Sequence, residues 1–171
     1  MELRFLHFIQ TAHSHKLNSF FYVVTHLGDC GVVWIAIGAV LICFTHCLKS
    51  GSALFIALAL SALLGNVLLK NIIMRQRPCW VDTSILTLLH NPSDYSFPSG
   101  HAFSSFACAF SVYLYDKNIG SILILLAIMI AFSRLYFGVH YPTDVIFGAI
   151  FGICTSFMSY RIIEYICLVN R

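Results

Sequence analysis

Hydrophobic residues along this chain fall in long blocks, and polar residues collect in a few breaks between them. The first block runs from about Leu17 to Leu48 and is interrupted at Gly28-Asp29. Its part from Gly31 onward is the cleaner stretch; residues 17–30 are either a half-buried lead-in or part of a tilted longer helix. After Lys49-Ser50-Gly51-Ser52, a second block covers about Ala53 to Lys70. A third runs from Pro98 to Tyr115, a fourth from Ile119 to Phe137, and a fifth from Pro142 to about Ile163. Proline suits the start of that last helix, where its missing N–H leaves no bond unmade. A helix needs roughly 20 apolar residues to cross a bilayer, whereas a barrel strand would show ~10-residue alternation. The pattern predicts an all-α fold: a polytopic transmembrane helix bundle with about five spans, in one domain over residues 1–171. Ahead of it, Leu3, Phe5, Leu6, Phe8 and Ile9 predict a short N-terminal helix, lying at the interface or packed on the bundle.

Composition agrees with a lipid solvent. Hydrophobic residues make up 59% of the 171 residues and charged ones 10%, with mean hydropathy +0.85. A soluble domain carries about 25% charged residues. The net charge of +3 is spread along the chain without a basic block, which argues against nucleic acid as a partner. Seven cysteines form no CxxC pair and sit mostly inside apolar runs. They are read as packing residues, not as a metal site or disulfide framework. The first twenty residues include Glu2, Arg4, His13, His15 and Lys16, unlike a cleavable signal peptide.

Topology then concentrates the chemistry. With five crossings, the end of span two, the start of three, the end of four and the start of five share one membrane face. That face collects Lys70, Arg75, Arg77, His101, Arg134, His140 and Asp144. Ionisable groups at the edge of an apolar bundle are costly and usually functional. The polar stretch 71–97 between spans two and three is also longer than a simple connection.

Three clusters stand out. Lys70-x6-Arg77-Pro78 places two cations two turns apart if the helix continues, both able to point at one anion; a basic collar at the membrane boundary is the plainer reading. Pro98-Ser99-Gly100-His101 opens span three, where Ser99 is a good N-cap and free N–H groups make an anion site. An ordinary capped helix would look the same. In Ser133-Arg134-x5-His140-x3-Asp144, the carboxylate can hydrogen-bond one imidazole nitrogen and leave the other lone pair free to attack. Alone, a His-x3-Asp pair is more often structural. Arg75 lies off the pattern, as a supporting group. Asp29 is a candidate to orient Lys or Arg side chains. Trp80, Tyr95, Tyr136 and Tyr141 read as an interfacial aromatic belt. His7, His13, His15, His26, His46 and His90 are scattered and read as interfacial or packing residues.

Together the three clusters resemble the signature of the type 2 phosphatidic acid phosphatase family, related to vanadium-dependent haloperoxidases, over about residues 50–160. The resemblance implies a metal-independent lipid phosphatase with no cofactor and no metal. Carried over position by position, it makes His140 the nucleophile, Asp144 its orienting partner and His101 the general acid. Lys70, Arg77, Ser99, Gly100 and Arg134 would bind the phosphate. The substrate implied first is undecaprenyl diphosphate, as in small bacterial members; phosphatidylglycerophosphate, phosphatidate and lipid A phosphate are the alternatives. Transfer of the phosphoryl group to another hydroxyl stays open, as does a non-catalytic lipid-phosphate-binding protein. The expected location is a cell membrane, the bacterial inner membrane. With Lys70, Arg77 and Arg134 set aside, the remaining cations divide three on the active face against four on the other, which favours an outward-facing site. The oligomeric state is not legible.

Overall fold

A computed structural model describes residues 1–44, 47–89 and 92–169. His46, His90 and the Arg171 of the charge tally lie outside the described residues. The regular elements among these residues are all helical: α1 (Glu2–Gln10), α2 (His15–Leu27), α3 (Val32–Cys43), α4 (Leu48–Ser61), α5 (Lys70–Ile73), α6 (Pro78–Val81), α7 (Gly100–Tyr113), α8 (Lys117–Tyr136) and α9 (Pro142–Val169). A 3₁₀ turn, Asp29–Gly31, separates α2 from α3, and a π-helical segment, Ala62–Leu69, joins α4 to α5.

Each apolar block is helical, and capping residues explain the boundaries. Ser99 caps α7, and Asp116 caps α8 by accepting from the Asn118 and Ile119 N–H groups at 2.9 Å. By length and composition, the segment Leu48–Val81 and the helices Lys117–Tyr136 and Pro142–Val169 can cross a membrane. The pair α2 and α3, bent by 51° at the Gly28–Gly31 break, makes a fourth span if counted as one. The remaining block, α7, has 14 residues, about 21 Å at 1.5 Å each, less than the ~30 Å hydrocarbon core. Its shortness follows from its place. It packs on α4, α8 and α9, and none of its residues is exposed, so protein rather than lipid sets its length.

Small residues permit that enclosure. A Cβ on Gly152 would meet the Phe103 carbonyl at 2.6 Å, and one on Gly148 the Ser99 carbonyl at 2.8 Å, so α9 lies directly on the α7 backbone. Around them Val24, Trp34, Leu41, Leu54, Cys108, Val112, Leu123 and Ile130 form the main core. Apolar side chains such as Val67, Ile72, Ile122, Leu125, Ile146 and Ile150 remain exposed on the outside, as lipid-facing positions should be. All seven cysteines are free thiols.

The N-terminal helix is tied to the bundle. Leu6 and Ile9 are buried, and the Glu2 carboxylate accepts from Arg75 Nη2 at 2.6 Å and from Thr143 Oγ1 at 2.7 Å. Packing on the bundle, one of the two expected roles, is therefore realised.

Candidate active site

Lys70, Arg77, His101, Arg134 and His140 line a single cavity of about 400 Å³, together with Gly28, Gly31, Leu58, Asn66, Asp94 and Gly100. Five elements separated in sequence converge there. Lys70 is delivered by the π-helical segment that precedes it; wide turns of this kind are rare and concentrate at functional sites. One expectation needs correction: Lys70 and Arg77 do not share a continuous helix. Met74 turns left-handed at φ 47° and ends α5. Pro78 then holds Arg77 extended, at φ −76° and ψ 153°, because the proline ring clashes with a helical residue before it. The two cations meet in the cavity through this turn.

The His140 ring is buried between the α8 terminus and the α9 start, with 1% of its surface exposed. Its Nε2 lies 3.2 Å from Arg77 Nη1, whose other acceptor is the Val139 carbonyl at 2.8 Å. A guanidinium can only donate, so it faces an Nε2 lone pair, which places the ring proton on Nδ1. Burial first, then the charges of Arg77, Arg134, Lys70 and His101, pull the His140 pKa well below its usual 6.5. The imidazole is therefore neutral at physiological pH.

Asp144 sits behind the ring, fully buried. Its Oδ2 is 3.7 Å from His140 Nδ1, too far for the direct hydrogen bond expected from the i, i+4 spacing. The reason is its other partners. Oδ2 accepts from Tyr141 N–H at 2.9 Å, as an acidic residue in the first turn of α9 can, and from Ser96 Oγ. Ser96 Oγ in turn lies 3.4 Å from His140 Nδ1, so the hydroxyl stands between carboxylate and ring. Arg75 Nη1 donates to Asp144 Oδ1 at 2.6 Å and its guanidinium stacks 3.9 Å over the Tyr141 ring. Arg75 therefore supports Asp144 from outside the cavity, and Tyr141 holds Arg75.

His101 donates from Nε2 to the Asp29 carboxylate Oδ1 at 2.9 Å. Asp29, expected to orient a Lys or Arg, is instead paired with His101, because the break between α2 and α3 brings its loop over the first turn of α7. Ser99 also differs from expectation. Its hydroxyl accepts from Ala102 N–H at 3.5 Å and is absent from the cavity wall, whereas Gly100 lines it. Arg134 Nη1 donates to Thr25 Oγ1 at 2.5 Å; its buried Nε has no hydrogen-bond partner among the described residues.

Sequence reasoning missed Ser96, Asp94 and Asn66. Asp94 pairs with both Lys70 and Arg77, and Asn66 Oδ1 lies 2.7 Å from where a Gly100 Cβ would stand. The dense run of polar residues before Pro98 was the available signal for the first two. Asn66, alone in an apolar block, was the signal for the third. Trp80 and Tyr95 stack edge-on at 6.4 Å near this face. Among the described residues no group of three or more His, Cys, Asp or Glu could hold a metal ion.

A family model described as the PAP2 superfamily matches residues 50–166. A Sulfolobus acidocaldarius protein named undecaprenyl-diphosphatase is 37% identical over 131 residues, covering 76% of this chain and 63% of that relative. Bacillus subtilis undecaprenyl-diphosphatase BcrC is 29% identical over 102 residues, 60% of this chain and 52% of its own. The chain thus spans less than two thirds of the length of either. Among solved structures, the transmembrane PAP2-type phosphatidylglycerolphosphate phosphatase of Bacillus subtilis superposes with a TM-score of 0.81 at 25% identity, covering 96% of this chain and 85% of that one. Aquifex aeolicus LpxE gives 0.78 at 29% identity, with 94% of each chain covered.

Proposed function

This chain belongs to the PAP2 superfamily, and on that premise we propose that it is an integral-membrane lipid phosphatase acting through a phosphohistidine at His140. The observation that carries the reading is the neutral, buried His140 ring, its Nε2 lone pair facing Arg77 in a cavity that Lys70 and Arg134 also line.

The chemistry follows from those positions. Lys70, Arg77 and Arg134 hold the phosphate oxygens, with the Gly100 backbone N–H at the α7 terminus adding a donor. His140 Nε2 attacks phosphorus; an N–P bond forms as the bond to the leaving oxygen breaks. Charge developing on the ring is met by Asp144 through Ser96. His101, held by Asp29 and charged once the phosphate dianion is bound beside it, gives its proton to the leaving oxygen. Water then attacks the phosphohistidine while His101 takes a proton from it. The N–P electron pair returns to Nε2 and inorganic phosphate leaves. Ser99 serves as the cap that aims the first turn of α7. The buried cations neutralise charge that a metal ion would otherwise meet.

Undecaprenyl diphosphate is the substrate we favour. The Sulfolobus and Bacillus relatives carry that substrate in their names, and a cavity at the end of an apolar bundle suits a long tail left in the bilayer. Phosphatidylglycerophosphate and lipid A phosphate are the competing headgroups, represented by other relatives and solved structures. Residues 1–171 act as one catalytic domain in a bacterial inner membrane, with the site facing outward, in line with the division of the non-catalytic cations.

The test is phosphate release from a panel of lipid phosphates and diphosphates by purified protein in detergent with chelator present. Turnover should persist with chelator and vanish in His140→Ala. Full activity in that variant overturns the mechanism, and preference for a monophosphate lipid overturns the substrate.

A further inference from the structure

One charged group in the cavity has no part in the reaction proposed above. Asp94, on the segment between α6 and α7, ion-pairs with Lys70 through Oδ2 and accepts from Arg77 Nη2 at 2.6 Å through Oδ1. Its backbone carbonyl accepts from Arg77 Nε at 2.7 Å. Lys70 and Arg77 are buried, at 7% and 2% exposure, whereas the Asp94 side chain is 51% exposed. Two of the cavity's cations are thus covered by a half-exposed carboxylate on a loop. Burial raises the Asp94 pKa, yet Lys70 and Arg77 together overcome it and bring the group to about 2. Asp94 is therefore ionised wherever the protein works. Arg134 is not covered in this way: its buried Nε has no partner among the described residues.

We infer that Asp94 is an internal stand-in for the substrate's phosphate, and that it filters headgroups by charge. A terminal phosphate displaces it from Lys70 and Arg77; a phosphodiester does not. The inference rests on the reading of this cavity as a phosphate site. A tethered carboxylate competes at an effective concentration of about millimolar or more. A phosphodiester carries one negative charge, the same as the carboxylate it would replace, so the exchange brings no electrostatic gain. A terminal phosphate carries roughly −1.5 to −2 near neutral pH, and it keeps a third oxygen for Arg134, which lines the same cavity. Exchange is then favourable for the phosphate end alone. The need for such a filter is physical. A cationic cavity at the membrane edge meets phosphodiester headgroups in great excess over any lipid with a phosphate end.

The experiment titrates the full-length protein in detergent by calorimetry, with inorganic phosphate and with dimethyl phosphate, for wild type, Asp94→Asn and Asp94→Ala. Neither ligand needs turnover, and the Arg77 bond to the Asp94 backbone carbonyl survives in both variants. Wild type should bind inorganic phosphate and discriminate against dimethyl phosphate. Both variants should bind inorganic phosphate on the order of tenfold more tightly, with the discrimination reduced. Equal or weaker phosphate binding in both variants overturns the inference and makes Asp94 a positioning residue for Lys70 and Arg77. Tighter phosphate binding with undiminished discrimination overturns the filter. A wild-type protein that binds no phosphate removes the phosphate site itself, and with it the function proposed above.

Discussion

Replacing Ser96 with alanine asks how the Asp144 carboxylate reaches the His140 ring. Ser96 is fully buried; its hydroxyl donates to Asp144 Oδ2 and lies 3.4 Å from His140 Nδ1. The carboxylate itself stands 3.7 Å from that nitrogen. Alanine removes the link yet leaves Asp144 with Tyr141 N–H and Arg75, so the carboxylate should stay in place. The lost hydrogen bond is worth about 1–2 kcal/mol. At 1.36 kcal/mol per tenfold, this is roughly a five- to thirtyfold drop in kcat. KM should hardly change, because Ser96 is not in the cavity wall. Asp144→Ala should cost far more, on the order of 10³-fold, since the ring loses its counter-charge and Arg75 one of its two carboxylates. The assay is steady-state phosphate release in detergent, with circular dichroism melting as a check on folding. A Ser96→Ala protein with kcat within about twofold of wild type and an unchanged Tm would refute the relay. A rise in KM with constant kcat would place Ser96 in binding instead.

The depressed His140 pKa has two further consequences. The acid limb of kcat/KM due to this ring should lie well below pH 6.5, and a limb at about 6.5, the unperturbed value, would contradict the buried neutral ring. The folded pKa is below the unfolded one, so the unfolded chain binds the extra proton. The stabilising contribution is then complete above about pH 6.5 and is lost as pH falls towards the folded pKa; Tm should decline on acidification, and less steeply in His140→Ala. Arg75→Ala leaves the fully buried Asp144 without its cation, and removing one partner of a buried pair costs about 3–5 kcal/mol, less here because Arg75 is partly exposed. Lower Tm and lower kcat should appear together, and an unchanged Tm would sink this assignment. Gly138 has φ +64°, and a Cβ there would stand 2.4 Å from Ile85 Cγ2. Gly138→Ala should destabilise by about 1–3 kcal/mol, seen as a lower melting temperature, and an equal Tm would mean that the turn before His140 tolerates adjustment.

Much of the helical layout was legible because its cause is local. Blocks of apolar residues bounded by Asp116, Pro142 and Ser99 mark helix ends through capping chemistry that involves only neighbours in the chain. The number of membrane-length helices was harder to read. An apolar block such as 98–115 looks the same whether lipid or protein surrounds it, and only the packing of α4, α8 and α9 around α7 shows that it need not span the full hydrocarbon. The expectation for Lys70 and Arg77 failed in its geometry while their convergence held. A left-handed Met74 is invisible to periodicity, although Pro78 signalled that Arg77 would be extended.

The sequence by itself determined the solvent of this protein, its helical class and the residue types gathered at one membrane face. Hydropathy and residue identity act position by position, so no fold is needed to see them. Tertiary structure alone decided the working pairs: Ser96 between Asp144 and His140, Asp29 on His101, Arg75 behind Asp144, and Asp94 across Lys70 and Arg77. Each of these partners, Arg75 included, reaches its site from a turn or loop outside the α-helices. A hydrogen bond depends on distances within a few tenths of an ångström between groups 17 to 72 residues apart, and such distances are set only when the bundle closes.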